Sequence, residues 1–477
     1  MAKGNGQLKL VWLVAYRELR DQLRDWRIIF PMLILTVFLP FLADFGAEAA
    51  MNFTAQYGTP LIAERLVPFL LMVVGFFPVT VSLVIALEAF VGEKERGTIE
   101  PLLSSPLKDW QLYLGKLIAS TAIPLATAYL GITVYMVGLY FRHIPFPDAN
   151  RMVQTLILTT IQALLMVSGA ILISTQATSV RAANLMASFV VIPIALLIQG
   201  ESILLFWGNA QLLWLAVAGV AILTILLIRV GLAHFQREAL LGREIDVLNL
   251  RWIGQTFWHA FRGEATTLFG WYRTELRHTL ARQLPATLLT LIIGVGAAWG
   301  GFHWLSSNAA KVTSQFSSND ISSLLAPGVG IPQRLDTLIS FPLIWGHNLQ
   351  AVLIIFLLGL ASFGVLGAVI YLLNMGIVGA ALALVRIMGQ DPVRVGLTGI
   401  LPHGIFELPA LILACGALIY IGARLVTPRT QKTLGEVFIE SLADWMKVGI
   451  GVVLPLLTIA AAIETWVTPV LLKAAIR

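Results

Sequence analysis

Apolar runs of about twenty residues, parted by short charged or proline- and glycine-bearing stretches, set the rhythm of this chain. A helix needs about that length to cross the hydrocarbon core of a bilayer. In the first half the runs fall near 28–44, 67–90, 117–140, 153–177, 185–199 and 211–228. Pro68 and Pro78 interrupt the second of them, where kinks are expected. In the second half the runs fall near 285–304, 349–388, 398–423 and 448–468. The 349–388 run is too long for one span. Its Asn374-Met375-Gly376 step is the expected corner between two spans. The pattern reads as an all-α polytopic membrane protein, with about eleven transmembrane helices in two bundles.

The polar stretches divide the chain and orient it. Residues 1–27 interleave Lys3, Lys9, Arg17, Arg20, Arg24 and Arg27 with Leu10, Leu13, Leu19, Leu23 and Trp26. That spacing fits an amphipathic helix on the inner membrane face, its cations meeting anionic lipid. Residues 229–282 alternate eight arginines with acids and carry Trp252, Trp258 and Trp271. Such a composition fits interfacial helices, whereas a flexible tether is richer in Gly and Ser. The expected division is 1–248 and 249–477. Six spans and basic flanks put both ends of the first half, the N-terminus included, in the cytoplasm. The 305–340 stretch, with Lys311 and Arg334 as its cations, belongs outside. Arg424, Arg429 and Lys432 belong inside, which leaves the C-terminus outside. That arrangement strands Arg386, Arg394, Lys473 and Arg477 against the charge rule.

Composition agrees with this picture. Hydrophobic residues make up 58% of the 477 and charged residues 12%, against about 25% charged in soluble domains. The net charge of +6 reads as basic cytoplasmic loops and not as affinity for nucleic acid. The single cysteine, Cys415, lies in an apolar run, so no disulfide framework exists. The polar first 27 residues lack the pattern of a cleavable signal peptide.

Two polar stretches carry candidate chemistry. The first joins the second and third spans: Gly92-Glu93-Lys94-Glu95-Arg96-Gly97-Thr98-Ile99-Glu100-Pro101-Leu102-Leu103-Ser104-Ser105-Pro106, read on to Gly115-Lys116. Gly97 should end the preceding helix, and Thr98 can cap a new turn. Leu102, Leu103, Leu107 and Leu112 give that turn an apolar face for a partner or for the membrane surface. The residue order Glu-x-Glu-x-Gly-Thr-x-Glu-x-Leu-Leu-x-x-Pro resembles the cytoplasmic loop of ABC transporter type-2 permeases, in which a coupling helix sits on the nucleotide-binding subunit. The resemblance is dense over about 25 residues. It implies that Glu93, Glu95, Arg96, Gly97, Thr98, Glu100, Leu102, Leu103 and Pro106 contact an ABC ATPase subunit. It also implies a second permease copy or homologue.

The second stretch is Leu401-Pro402-His403-Gly404-Ile405-Phe406-Glu407-Leu408-Pro409 at the head of an apolar run. His403 and Glu407, four apart, share a helical face. An ionisable pair at membrane depth is costly and is a functional candidate by default. Asn348 and Asn374 are candidate partners, with His347 beside the former. A His403–Glu407 hydrogen bond pinning a kinked helix is the structural alternative. A metal site needs a third ligand that no pattern supplies, so no metal is expected. These residues, with His347-Asn348 and Asn374-x-Gly376, resemble the stage II sporulation protein M family over about residues 270–470. In sporulating bacteria the namesake works with cell-wall hydrolases during engulfment, and no molecular activity follows from the resemblance.

No G-x-x-x-x-G-K-[ST] occurs, so this chain cannot cradle ATP phosphates by a P-loop. No zinc-finger spacing and no His-Glu-x-x-His occur either. The expectation is a non-enzymatic permease subunit in the bacterial inner membrane, in contact with membrane lipid. It binds no cofactor of its own, and ATP belongs on a partner subunit. The cargo implied is a lipid, polysaccharide or other envelope component. Two rival classes stay open: a membrane scaffold for envelope remodelling, and an intramembrane enzyme built on His403 and Glu407.

Overall fold

The computed structural model describes residues 2–57, 60–98, 104–177, 179–207, 210–235, 250–309, 340–427 and 432–471. Among these residues the regular structure is helical, without a strand. Among the described residues ten helices are long and apolar enough to cross a membrane, and a shorter apolar stretch, Leu197–Phe206, lies within a further helix. The chain packs as two compact units, one over residues 1–248 and the other over 249–425 and 429–477.

The first unit comprises α1 (Ala2–Gln22), α2 (Trp26–Tyr57), α3 (Pro60–Glu95), α4 (Asp109–Phe141), α5 (Ala149–Gln176), α6 (Val180–Trp207) and α7 (Ala210–His234). Helix α3 sits in the middle, against α2, α4, α5 and α6. Its Leu87, Phe90 and Val91 are buried with Leu112 and Tyr113 of α4 and Val167 and Ile171 of α5. Helix α1 buries a different face from the Leu10, Leu13, Leu19 and Leu23 positions that the sequence pointed to. Val11, Val14 and Ala15 are buried, while Leu8, Trp12, Leu13 and Tyr16 are exposed, and the buried face packs on α4.

In the second unit, α8 (Leu250–Arg262) buries no residue of its own. A short turn, Leu268–Trp271, and a π turn, Tyr272–Leu276, lead into α9 (Arg277–Ser307). Then come α10 (Phe341–Ala361), α11 (Val365–Ile387) and α12 (Leu401–Val426), the last entered through a π turn at Gly396–Ile400. Helix α13 (Leu434–Val448), a third π turn at Gly449–Val453 and α14 (Leu454–Trp466) follow. Thr433 and Glu436 form a reciprocal capping box at the start of α13.

The long apolar segment does not break where the sequence pointed. The corner lies at Ser362-Phe363-Gly364, and helix α11 runs unbroken through Asn374-Met375-Gly376. Ser362 accepts from the Leu366 amide at 2.8 Å and caps α11, while Gly364 adopts φ +94°, open to glycine at little cost. Asn374 donates to Ile370 O at 2.9 Å within its own turn, so its amide is satisfied without ending the helix. The close approach here depends on Gly301 of α9, where a Cβ would strike the Gly376 carbonyl, and not on Gly376 itself, whose Cβ would meet only Ala297 O at 3.7 Å.

Candidate functional site

Helix α3 ends as its residues require. The Arg96, Gly97 and Thr98 amides donate to Gly92, Lys94 and Glu93 carbonyls at 3.0–3.1 Å, with Gly97 at φ +67°. The Thr98 hydroxyl turns back to Glu93 O at 3.4 Å, closing the helix it follows. The turn it was expected to begin, with Glu100, Leu102 and Leu103, lies outside the described residues. Pro106 is exposed in the bend before α4.

Glu93 does not face water as the coupling reading supposed. Its carboxylate is 3.1 Å from Lys116 Nζ of α4, which also donates to Glu18 of α1 at 3.0 Å and to Ala89 O at 2.7 Å. The Lys116 side chain is 1% exposed. A buried ammonium persists only when its hydrogen bonds and charge are met, and this one has two carboxylates and a carbonyl. Gly115 lets α1 come close, since a Cβ there would lie 2.6 Å from Val14 Cγ1. On the other flank Glu95 accepts from the Val180 amide at 2.7 Å, and Lys94 Nζ donates to Ala177 O at 3.1 Å. The Ser174 hydroxyl of α5 donates to Leu87 O at 2.6 Å. The end of α3 is therefore fastened to α1 and α4 on one side and to the α5–α6 turn on the other. Glu95, Arg96 and Thr98 are its exposed polar positions.

In the second unit His403 and Glu407 lie one turn apart on α12. A third group that the sequence reading missed, Glu464 of α14, joins them. One donor atom from each of the three falls within 4.8 Å of the other two, and all three residues are half-buried. His403 Nδ1 is 3.2 Å from the Thr468 hydroxyl. Among the described residues no hydrogen bond joins His403 to Glu407, as the structural alternative required, and the asparagines do not complete the pair. Asn348 Nδ2 is buried without a hydrogen-bond partner, and Asn374 bonds within its own helix. His347 is exposed. One signal for Glu464 was available: it is the single charged residue of the last apolar run, and an acid at membrane depth is a candidate by default.

A second ionic cluster lies at the other end of these helices. Asp444 of α13 contacts Arg424 of α12 at 3.1 Å, Lys447 at 3.2 Å and Arg282 of α9 at 3.3 Å. Arg424 also holds Glu440 at 3.1 Å, and Lys447 holds Glu275 at 3.4 Å. Every carboxylate of this network has a cation.

Comparison with known proteins finds a different similarity for each part of the chain. Residues 12–213 match the family model described as ABC-2 family transporter protein, and residues 287–469 match that of stage II sporulation protein M. Each match covers less than half of the chain, and together they make its two parts similar to two different families. A probable ABC transporter permease protein NosY of Pseudomonas aeruginosa is 32% identical over 126 residues, 26% of this chain and 43% of the relative. Its namesake in Stutzerimonas stutzeri is 34% identical over 122 residues, 25% of this chain and 41% of the relative. The match thus spans about two fifths of these relatives' length. An uncharacterised protein of Methanocaldococcus jannaschii is 26% identical over 191 residues, 39% of this chain and 95% of that protein. The ABC-2 region contains the fastened end of α3 and Lys116. The sporulation-M region contains His403, Glu407 and Glu464.

Proposed function

We propose that this chain is the membrane-spanning permease subunit of an ATP-driven exporter in the bacterial inner membrane. A separate ABC ATPase subunit docks on the segment from Glu95 to Pro106, and a second permease copy or homologue completes the pathway. The cargo class is a lipid, polysaccharide or other envelope component. The observation that carries this reading is the end of α3 inside the ABC-2 region. A push on the exposed Arg96 and Thr98 at the end of α3 has two routes into the bundle: Glu95 and Lys94 to the α5–α6 turn, and Glu93 through Lys116 to α1 and α4. Short charge-assisted bonds between helices transmit displacement because they break or hold as units.

The test is a gentle detergent pull-down of the full chain from native membranes, followed by ATP hydrolysis. The wild type is expected to carry an ATPase. Leu102→Asp with Leu103→Asp is expected to lose it at an unchanged melting temperature. A wild-type preparation with no ATP-hydrolysing partner would sink the permease reading and favour a scaffold. A variant that keeps both partner and activity would move the docking site elsewhere.

A further inference from the structure

We propose that His403, Glu407 and Glu464 bind a divalent transition-metal ion, with zinc the first candidate. The three residues come from two helices and bring one imidazole and two carboxylates together, with donor atoms within 4.8 Å of one another. Imidazole with carboxylate is a donor set for zinc, manganese and iron(II), and three protein ligands leave a coordination position open for water. A tetrahedral zinc holds its donors roughly 3.3 Å apart, given bond lengths of about 2.0–2.1 Å. Small rotations of two flexible glutamate side chains close that difference.

Charge is the independent argument. At the other end of the same helices Asp444, Glu440 and Glu275 are each matched by Lys or Arg. Among the described residues no Lys or Arg pairs with Glu407 or Glu464, and no hydrogen bond joins the two carboxylates to each other or to His403. Two carboxylates side by side at the edge of a bilayer repel, and a divalent cation cancels their charge. The Thr468 hydroxyl at His403 Nδ1 holds the ring, the kind of outer contact that orients a metal-binding imidazole. The π turn at Gly396–Ile400, directly before α12, is a distortion that recurs beside functional sites.

The position gives access. His403 and Arg424 are 21 residues apart in sequence (424 − 403) on α12, or about 31 Å at 1.5 Å per residue. That is about one hydrocarbon thickness. The cluster therefore lies at the membrane face opposite the Arg424–Asp444 network, where a metal ion can enter from water. This inference stands apart from the permease reading and fails or holds without it.

The experiment uses the full chain purified in detergent through a tag without histidine, stripped with EDTA and dialysed. Titration with zinc against a chromophoric chelator is expected to show one high-affinity site per chain. Glu464→Gln and His403→Gln are each expected to weaken binding at least 100-fold, while Glu48→Gln in the first unit leaves it unchanged. X-ray absorption of the zinc-loaded wild type should show one imidazole and oxygen donors, a readout that needs no variant to fold. Absence of zinc, cobalt and manganese binding in the wild type overturns the proposal. So does wild-type affinity in Glu464→Gln, or an absorption spectrum with two or more imidazoles.

Discussion

Lys116 illustrates how much one buried charge can organise. It is the cation shared by Glu18 and Glu93, from helices on either side of α4, and it is almost fully buried. Lys116→Met should cost about 3–5 kcal/mol, because two carboxylates then face each other without a partner. Adding Glu18→Gln and Glu93→Gln should recover part of that loss, measurable as melting temperature in detergent. Arg424→Met should cost less than Lys116→Met, since Asp444 keeps Lys447 and Arg282. Equal losses for the two single variants would mean that redundancy in the network counts for nothing.

At the scale of elements, the corner between α10 and α11 separates two uses of glycine. Gly364 needs its left-handed backbone, and a Cβ there would sit 3.2 Å from Ile419 Cα. Gly364→Ala should destabilise by about 1–3 kcal/mol. Gly376→Ala should be nearly neutral, because its Cβ would meet its nearest neighbour, Ala297 O, at an ordinary 3.7 Å. Had the chain turned at Asn374-Met375-Gly376, the order of the two effects would be reversed. Thermal unfolding of both variants decides it. The apolar pattern placed the far end of the segment but began it eight residues late, at 349 against Phe341, and Asn and Gly occur both at turns and inside helices, which sequence spacing does not separate.

For the whole molecule, the two charged ends of α12 set a testable orientation. The Arg424–Asp444 end sits with the basic stretch of residues 250–282, which belongs on the cytoplasmic side by the charge rule. In a Cys415→Ala background, Ser104→Cys should react with an impermeant thiol reagent only after permeabilisation. Gln390→Cys, in the exposed turn after α11, should react in intact cells. Labelling of the Ser104 variant in intact cells would invert the first unit, and protection of the Gln390 variant would invert the second.

Apolar length, basic flanks and the four-residue step from His403 to Glu407 are local properties, and the sequence by itself determined the number of apolar spans and that shared helical face, but neither the corner between α10 and α11 nor helix α13. The two family resemblances were legible for the same reason, since their motifs are short and contiguous. What the tertiary structure alone decided is which distant groups meet. Glu93 turns inward because Lys116, on another helix, offers its charge, and that pairing also involves Glu18, 98 residues from Lys116. Glu464 joins His403 and Glu407 because α14 packs back beside the start of α12. Such meetings depend on the close packing of whole helices, a sum of many weak contacts that no short stretch of residues encodes.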